Sequence, residues 1–197
     1  AARQKQGEAM LLEGILPERI DKVLTDFGFP MGPFQMADLA GLDIGWTKET
    51  SDPTRIKDAL CERGRLGQKT GAGFYDYAVD RTRTASDKVN ALILEFADKS
   101  GLRRSDVSDE EILERLLYPM INEAALILEE HIAQRASDID VMYVHGYGWP
   151  SYTGGPMFWA GTQGLDKVLA GLEKYAEKWP DLSISKLLRD KAAKGES

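Results

Sequence analysis

The chain has 197 residues, a formal net charge of -7, 43% hydrophobic residues and 29% charged residues. These proportions exclude disorder and a collagen-like fibre, and the acidic balance argues against general nucleic-acid binding, which needs a basic face for phosphates. No run of about 18 apolar residues reads as a membrane span, and a single cysteine, Cys61, excludes an intramolecular disulfide or a cysteine-based zinc cluster.

The chain begins at Ala1 without Met and reads as helix from its first residue, with no N-cap of the Ser/Thr/Asp/Asn type. That start is expected of a fragment of a longer protein. Met10 to Leu12 close the opening helix, which Gly14 can cap. Pro17 suits the first turn of a second helix, in which Ile20, Val23, Leu24 and Phe27 share one face. Gly28 ends it. Pro30-Met31-Gly32-Pro33 is a rigid elbow, because proline fixes φ and lacks a backbone donor. Short helices are expected over Phe34–Ala40 and Thr54–Arg63, then glycine turns at Gly67, Gly71 and Gly73, then an extended Phe74–Tyr77. Polar, basic Val79–Ser86 reads as a linker.

Beyond it, Val89, Leu92, Ile93 and Phe96 mark a helix. Ser108 with Glu111 forms a capping box for a long helix to about Glu130, which Pro119 should kink or break. Ser137 is the expected cap of a helix through Val144. A second elbow follows in Gly146-Tyr147-Gly148-Trp149-Pro150 and Gly154-Gly155-Pro156, and helices over about Leu165–Lys178 and Ser183–Lys194 complete the chain, with a polar, frayed end over Arg189–Ser197. The fold class is all-α.

The two halves align in order. Glu8-Ala9 matches Glu123-Ala124, Ile20-Asp21 matches Ile139-Asp140, and Phe27-Gly28-Phe29-Pro30 matches Tyr147-Gly148-Trp149-Pro150. Gly32-Pro33 matches Gly155-Pro156, Ala37 matches Ala160, and Gly41-Leu42-Asp43 matches Gly164-Leu165-Asp166. This is a duplicated helix–elbow–helix unit, of a kind that commonly packs about a pseudo-twofold axis.

Leu16–Asp21, Phe27–Phe34, Asp38–Asp43 and Gly67-Gln68-Lys69-Thr70-Gly71-Ala72-Gly73-Phe74-Tyr75 together resemble the C-terminal helical domain of 3-hydroxyacyl-CoA dehydrogenases. The second half resembles the duplicated helical domain of multifunctional β-oxidation enzymes, which join enoyl-CoA hydratase and dehydrogenase activities. The resemblance implies two tandem repeats with the 6-phosphogluconate dehydrogenase C-terminal-like fold. It divides the chain into a first domain over 1–78, a linker over 79–86 and a second domain over 87–197. It also implies a parent NAD-dependent (S)-3-hydroxyacyl-CoA dehydrogenase, cytoplasmic in a bacterium and peroxisomal in a eukaryote. The family's NAD-binding Rossmann domain, with its catalytic His and Glu, lies upstream of such a region, so no catalytic, cofactor-binding or metal residue is assigned within this chain. Gly71-Ala72-Gly73 precedes an extended stretch rather than a helix and is not the dinucleotide loop.

The substrate contacts that the resemblance implies are Pro30, Met31, Gly32, Pro33 and Phe34, as an apolar wall for the acyl chain, and Lys69, near Arg63 and Arg65, for phosphate or carboxylate. Met31 and Phe34 are then expected on an open apolar face, where the chain by itself could self-associate. His131 and His145 are assigned no role. Asn122 and Glu123 read as helix-surface or interhelical hydrogen-bonding residues rather than a polar active pair. Trp149, Tyr152, Phe158 and Trp159 read as packing residues. The competing reading is a non-catalytic helical scaffold or association module.

Overall fold

A computed structural model describes residues 2–179 and 181–196. Ala1 and Ser197, the outer ends of the two expected domains, lie outside the described residues. Ten α-helices and one two-stranded hairpin are present among those described. They fall into two compact units.

The first unit holds α1 (Ala2–Leu12), α2 (Pro17–Phe27, as far as Asp26), α3 (Pro33–Ala40), α4 (Ile56–Glu62), β1 (Tyr75–Tyr77), β2 (Arg83–Ala85) and α5 (Asp87–Ser100), and runs on to Ile112. Ile20 and Leu24 are fully buried on α2, with Met10 and Leu11 from α1 and Ile93 from α5. Val23 and Phe27 of the expected face are only half-buried. β1 and β2 pair antiparallel, Tyr75 opposite Ala85 and Tyr77 opposite Arg83. The expected linker over 79–86 therefore contains a strand, and Ser86 is the N-cap of α5, accepting from Val89 N at 3.4 Å. Val89, Ile93 and Ala97 are buried on α5, which joins the first unit. The first compact unit, with α5 in it, ends at Ile112.

The second unit comprises Phe27–Pro30 and Leu113–Ser197, as far as described. It holds most of α6 (Asp109–Glu129), then α7 (Ala136–Gly146), α8 (Pro156–Gln163), α9 (Leu165–Ala176) and α10 (Lys186–Lys194). Ser108 caps α6 as expected, accepting from Glu111 N at 3.1 Å. The helix continues unbroken through Pro119. Its neighbours suffice to keep the chain helical across the missing N–H. Arg135, not Ser137, is the N-cap of α7; Ser137 lies within the first turn. The expected frayed end is helical as far as Lys194, because Ser185 caps α10 and Leu188 is buried. Tyr118, Ile121, Val168 and Leu172 are among the side chains of this unit's core.

The duplication is legible within each unit. α3 and α8 are both eight-residue helices that open with proline after glycine and end at Gly41 and Gly164, with φ of 104° and 92°. Neither has a side-chain cap of its own. An aspartate from the preceding helix serves instead. Asp21 accepts from Phe34 N and Gln35 N, both at 2.9 Å. Asp140 accepts from Met157 N at 2.7 Å and Phe158 N at 3.2 Å. A Cβ on Gly32 would lie 2.2 Å from Asp21 Oδ1, and one on Gly155 would lie 2.4 Å from Asp140 Cβ. Glycine is required at both places because each aspartate approaches the backbone this closely.

Candidate functional site

In the first unit, two buried aspartates organise the segments singled out by sequence. Asp21 and Asp38 are each 1% exposed. Beyond capping α3, Asp21 accepts from the Tyr75 hydroxyl at 2.7 Å and faces the Arg83 guanidinium at 3.5 Å. Asp38 accepts from Phe74 N at 2.8 Å, Tyr75 N at 3.1 Å and the Tyr77 hydroxyl at 2.9 Å. Burial raises the pKa of both carboxyls above the usual range, against the opposing pull of these donors. It also pushes both phenols upward, reinforced by the neighbouring carboxylates. Neither aspartate was singled out by sequence as a site residue. The signal was the match of Asp21 to Asp140, a helix position that follows an isoleucine and carries a charge in both repeats.

The glycine-rich loop closes on itself and on Asp38. Gly67 N bonds Ala72 O, Ala72 N bonds Gly67 O, Gly73 N bonds Tyr75 O, and Thr70 N and Gly71 N bond within the same turn. A Cβ on Gly73 would lie 2.1 Å from Asp38 Oδ1. The glycines admit a carboxylate rather than a phosphate, and these N–H groups do not form an open anion nest. The loop does not fit the pyrophosphate of NAD.

The predicted contact residues separate. Phe34 is 3% exposed, its ring 4.7 Å from that of Phe74. It is a core residue rather than part of an open face, because the Asp21 cap turns the start of α3 inward. Gly32 and Pro33 are buried too, and Met31 is half-buried. Pro30 is exposed and belongs to the second unit, where its ring would meet a Cβ on Gly148 at 2.9 Å. Gly28 stands likewise against Pro150, so the two elbows exchange a Gly–Pro contact reciprocally.

Lys69, Arg63 and Arg65 do not form a free cationic cluster. Lys69 Nζ pairs with Asp43 at 2.6 Å, lowering that half-buried carboxyl's pKa. Arg65 turns onto Gly73 O and Asp76, and Arg63 donates to Ala59 O at 2.7 Å. Each cation has found an oxygen of its own.

The open apolar face of this unit is instead the other side of α3. Met36, Leu39 and Ile44 are 39%, 52% and 65% exposed. A pocket of about 400 Å³ lies there, walled by Pro33, Met36, Ala37, Ala40, Leu42 and Ile44, with Arg3, Gln4 and Lys57 at its rim. Lys57 donates to Ile44 O at 3.1 Å. Gly41 lies in the wall, and a Cβ there would stand 3.5 Å from Lys69 Nζ, which brings Lys69 to the pocket's edge. Sequence reasoning missed Met36 and Ile44, although Pro33, Met36, Ala37 and Ala40 already have the spacing of one helix face.

In the second unit, Asn122 donates to Ser183 O at 2.8 Å and accepts from Ser185 N at 2.9 Å, the interhelical role expected of it. Trp149 is 1% exposed and Trp159 packs edge-on against it. Tyr152 and Phe158, expected in packing, are 74% and 63% exposed. His131 lies beyond the end of α6 with φ of 57°, and His145 lies near the end of α7. Among the described residues no group of three or more His, Cys, Asp or Glu could hold a metal ion, and no helix is long and apolar enough to cross a membrane.

Comparison with known proteins agrees with the duplicated geometry. The chain is 43% identical to the human peroxisomal bifunctional enzyme over 199 aligned residues, covering 90% of this chain and 28% of that protein. It is 33% identical to the fatty acid oxidation complex subunit alpha of Pseudomonas entomophila, covering 90% of this chain and 26% of that one. The chain thus spans less than a third of the length of these relatives. The dehydrogenase part of multifunctional enzyme 1 from C. elegans superposes with a TM-score of 0.75 at 30% identity, over 96% of this chain and 45% of that one. The 3-hydroxybutyryl-CoA dehydrogenase of Escherichia coli shares the fold, with a TM-score of 0.63 at 18% identity, over 98% of this chain and 59% of that one. One family description, the 3-hydroxyacyl-CoA dehydrogenase C-terminal domain, matches residues 2–77 and again 112–197. An aspartate-capped helix built twice and a family pattern matched twice are the same duplication seen two ways, and the chain belongs to the 3-hydroxyacyl-CoA dehydrogenase C-terminal domain family.

Proposed function

We propose that this chain is the helical part of an NAD-dependent (S)-3-hydroxyacyl-CoA dehydrogenase of fatty-acid β-oxidation, and that the first unit supplies one wall of its acyl-CoA site. The observation that carries this is the pocket on α3, apolar at Pro33, Met36, Ala40 and Ile44 and rimmed by Arg3 and Lys57. An apolar wall suits an acyl chain or pantetheine, and cations at the rim suit the phosphates of coenzyme A. Pro33 keeps the wall role given to it by sequence, with Met36 and Ile44 in place of Phe34. Met31 stands half-buried before it, and Lys69, at the edge, is available to an anion that displaces Asp43. Gly32 and Pro30 contribute through the backbone path of the elbow.

NAD is held by the Rossmann domain in this reading, and so are the groups that abstract the hydroxyl proton and receive hydride. The helical chain orients the acyl group and excludes water from one side, which positions the reacting carbon. The compartment in this reading is peroxisomal in a eukaryote, as the names of the eukaryotic relatives have it, and cytoplasmic in a bacterium. Exposed Met36, Leu39 and Ile44 also support self-association of the isolated chain.

The test is a titration of the chain with acetoacetyl-CoA, read by methyl resonances of Met36 and Ile44. Saturable shifts at these methyls, with no oxidation of NADH in the same tube, are expected. Shifts confined to other residues would refute the assignment of the wall, and NADH oxidation by the chain alone would refute the placement of the chemistry elsewhere.

A further inference from the structure

The second unit carries an apolar pocket of about 520 Å³ among α6, α7, α8, the start of α9 and α10. Its lining includes Ala125, Leu128, Met157, Leu165, Leu187 and Leu188, with Lys191 at the rim. The positions facing it have counterparts in the first repeat, and those counterparts are covered. Met157 and Gly161 correspond to Phe34 and Asp38 by the match of Gly155-Pro156 and Ala160 to Gly32-Pro33 and Ala37. In the first repeat Phe34 lies under the Phe74 ring, and Asp38 accepts from the backbone of Phe74 and Tyr75. Asp140, also in the pocket lining, matches Asp21, which takes the Tyr75 hydroxyl.

The chemistry of these positions has changed with their exposure. Counting outward from the Glu8–Glu123 and Ile20–Ile139 matches, Glu13 becomes Leu128 and Glu18 becomes Ser137, while Asp38 becomes Gly161. These three carboxylates, of which Glu13 and Asp38 are buried in the first repeat, have no charged counterpart in the pocket lining. Asp140, the carboxylate in the lining, keeps both oxygens on the N–H groups of Met157 and Phe158, which offsets its charge, and Glu129 beside the pocket accepts from Ser185 Oγ and Leu187 N. Lys191 reaches Glu196 at 3.5 Å with both side chains partly exposed, a weak pair that another anion can replace.

We propose that this pocket is a ligand site of its own, taking an unbranched aliphatic chain whose anionic head group pairs with Lys191. The apolar wall supplies burial, the lining's carboxylate is already held by two N–H groups, and Lys191 fixes which end of the ligand points outward. The shared chemistry admits a free fatty acid or the acyl chain of a thioester whose carrier bears phosphates. This site is separate from the α3 pocket and does not depend on the function proposed for it.

The probes are decanoate, decanoyl-CoA and the uncharged decanol, titrated into the full chain with methyl resonances of Leu128, Met157, Leu187 and Leu188 as the readout. Saturable shifts at these methyls with decanoate or decanoyl-CoA are expected; whichever binds more tightly identifies the source. Lys191→Glu should weaken the anionic probe about two- to fivefold and leave decanol unchanged, as loss of a half-exposed ion pair requires. Lys174→Glu, on α9 and outside the pocket lining, should leave all three probes unchanged. Leu187→Trp should close the mouth and abolish binding of all three, with the far-ultraviolet circular dichroism retained. Absence of saturable shifts at the four methyls with both anionic probes would overturn the proposal. So would Lys191→Glu leaving the anionic probe's affinity unchanged.

Discussion

Removing the capping aspartate from each repeat should have unequal consequences. Asp21→Ala leaves Phe34 N, Gln35 N and the Tyr75 hydroxyl without their acceptor in a place where the carboxylate is 1% exposed. An unsatisfied buried donor costs about 1–3 kcal/mol, and the losses are not fully additive, so about 3–6 kcal/mol is expected. Asp140→Ala orphans only Met157 N and Phe158 N, at a half-buried carboxylate beside an open pocket that admits water. That loss resembles removal of an exposed helix cap, about 1–2 kcal/mol. Urea unfolding of the two variants gives the comparison, and hydrogen exchange at Phe34, Gln35, Met157 and Phe158 localises it. Faster exchange should appear at residues 34 and 35 in the first variant and at 157 and 158 in the second. Equal destabilisation, or a larger loss from Asp140→Ala, would refute the argument that burial of the orphaned donors sets the cost.

Further outcomes follow from the same geometry. Gly73→Ala, whose Cβ would stand 2.1 Å from Asp38 Oδ1, should cost about 2–3 kcal/mol by displacing the loop, measured by thermal unfolding. Phe34→Ala, in the buried contact with Phe74, should cost about 3–5 kcal/mol, whereas Met36→Ala, on the exposed face of the same helix, should change stability by less than about 1 kcal/mol. Asp38 has a folded pKa raised above 3.8, so the native state binds its proton more tightly than the unfolded chain. Its contribution to stability is full below that value and is lost as pH rises through the folded pKa. Asp38→Asn should flatten this part of the pH–stability curve, read by urea midpoints at successive pH values; an unaltered slope would contradict the burial argument.

The helices, the elbows and the duplication were legible in the sequence because they depend on local order. Proline sets the start of α2, α3 and α8, glycine ends α3 and α8, and the Ile-Asp pair recurs at Asp21 and Asp140. Apolar spacing marked Val89 and Ile93 on the buried side of α5, while Leu92 and Phe96 are half-buried. What local order did not carry was the destination of each polar side chain. Lys69, Arg63 and Arg65 are neighbours in the chain yet take Asp43, Ala59 O and Asp76, since each settles with whichever oxygen the fold brings near. Basic Arg83 was read as linker and became a strand residue stacked on Tyr75, because β1 offered it a pairing edge and Asp21 a counter-charge. Phe34 and Met36 are both apolar residues at the start of one helix, and nothing in their order says which faces inward. That was decided by Asp21, distant in sequence, whose carboxylate takes the first N–H groups of α3 and thereby turns Phe34 to the core and Met36 to the pocket.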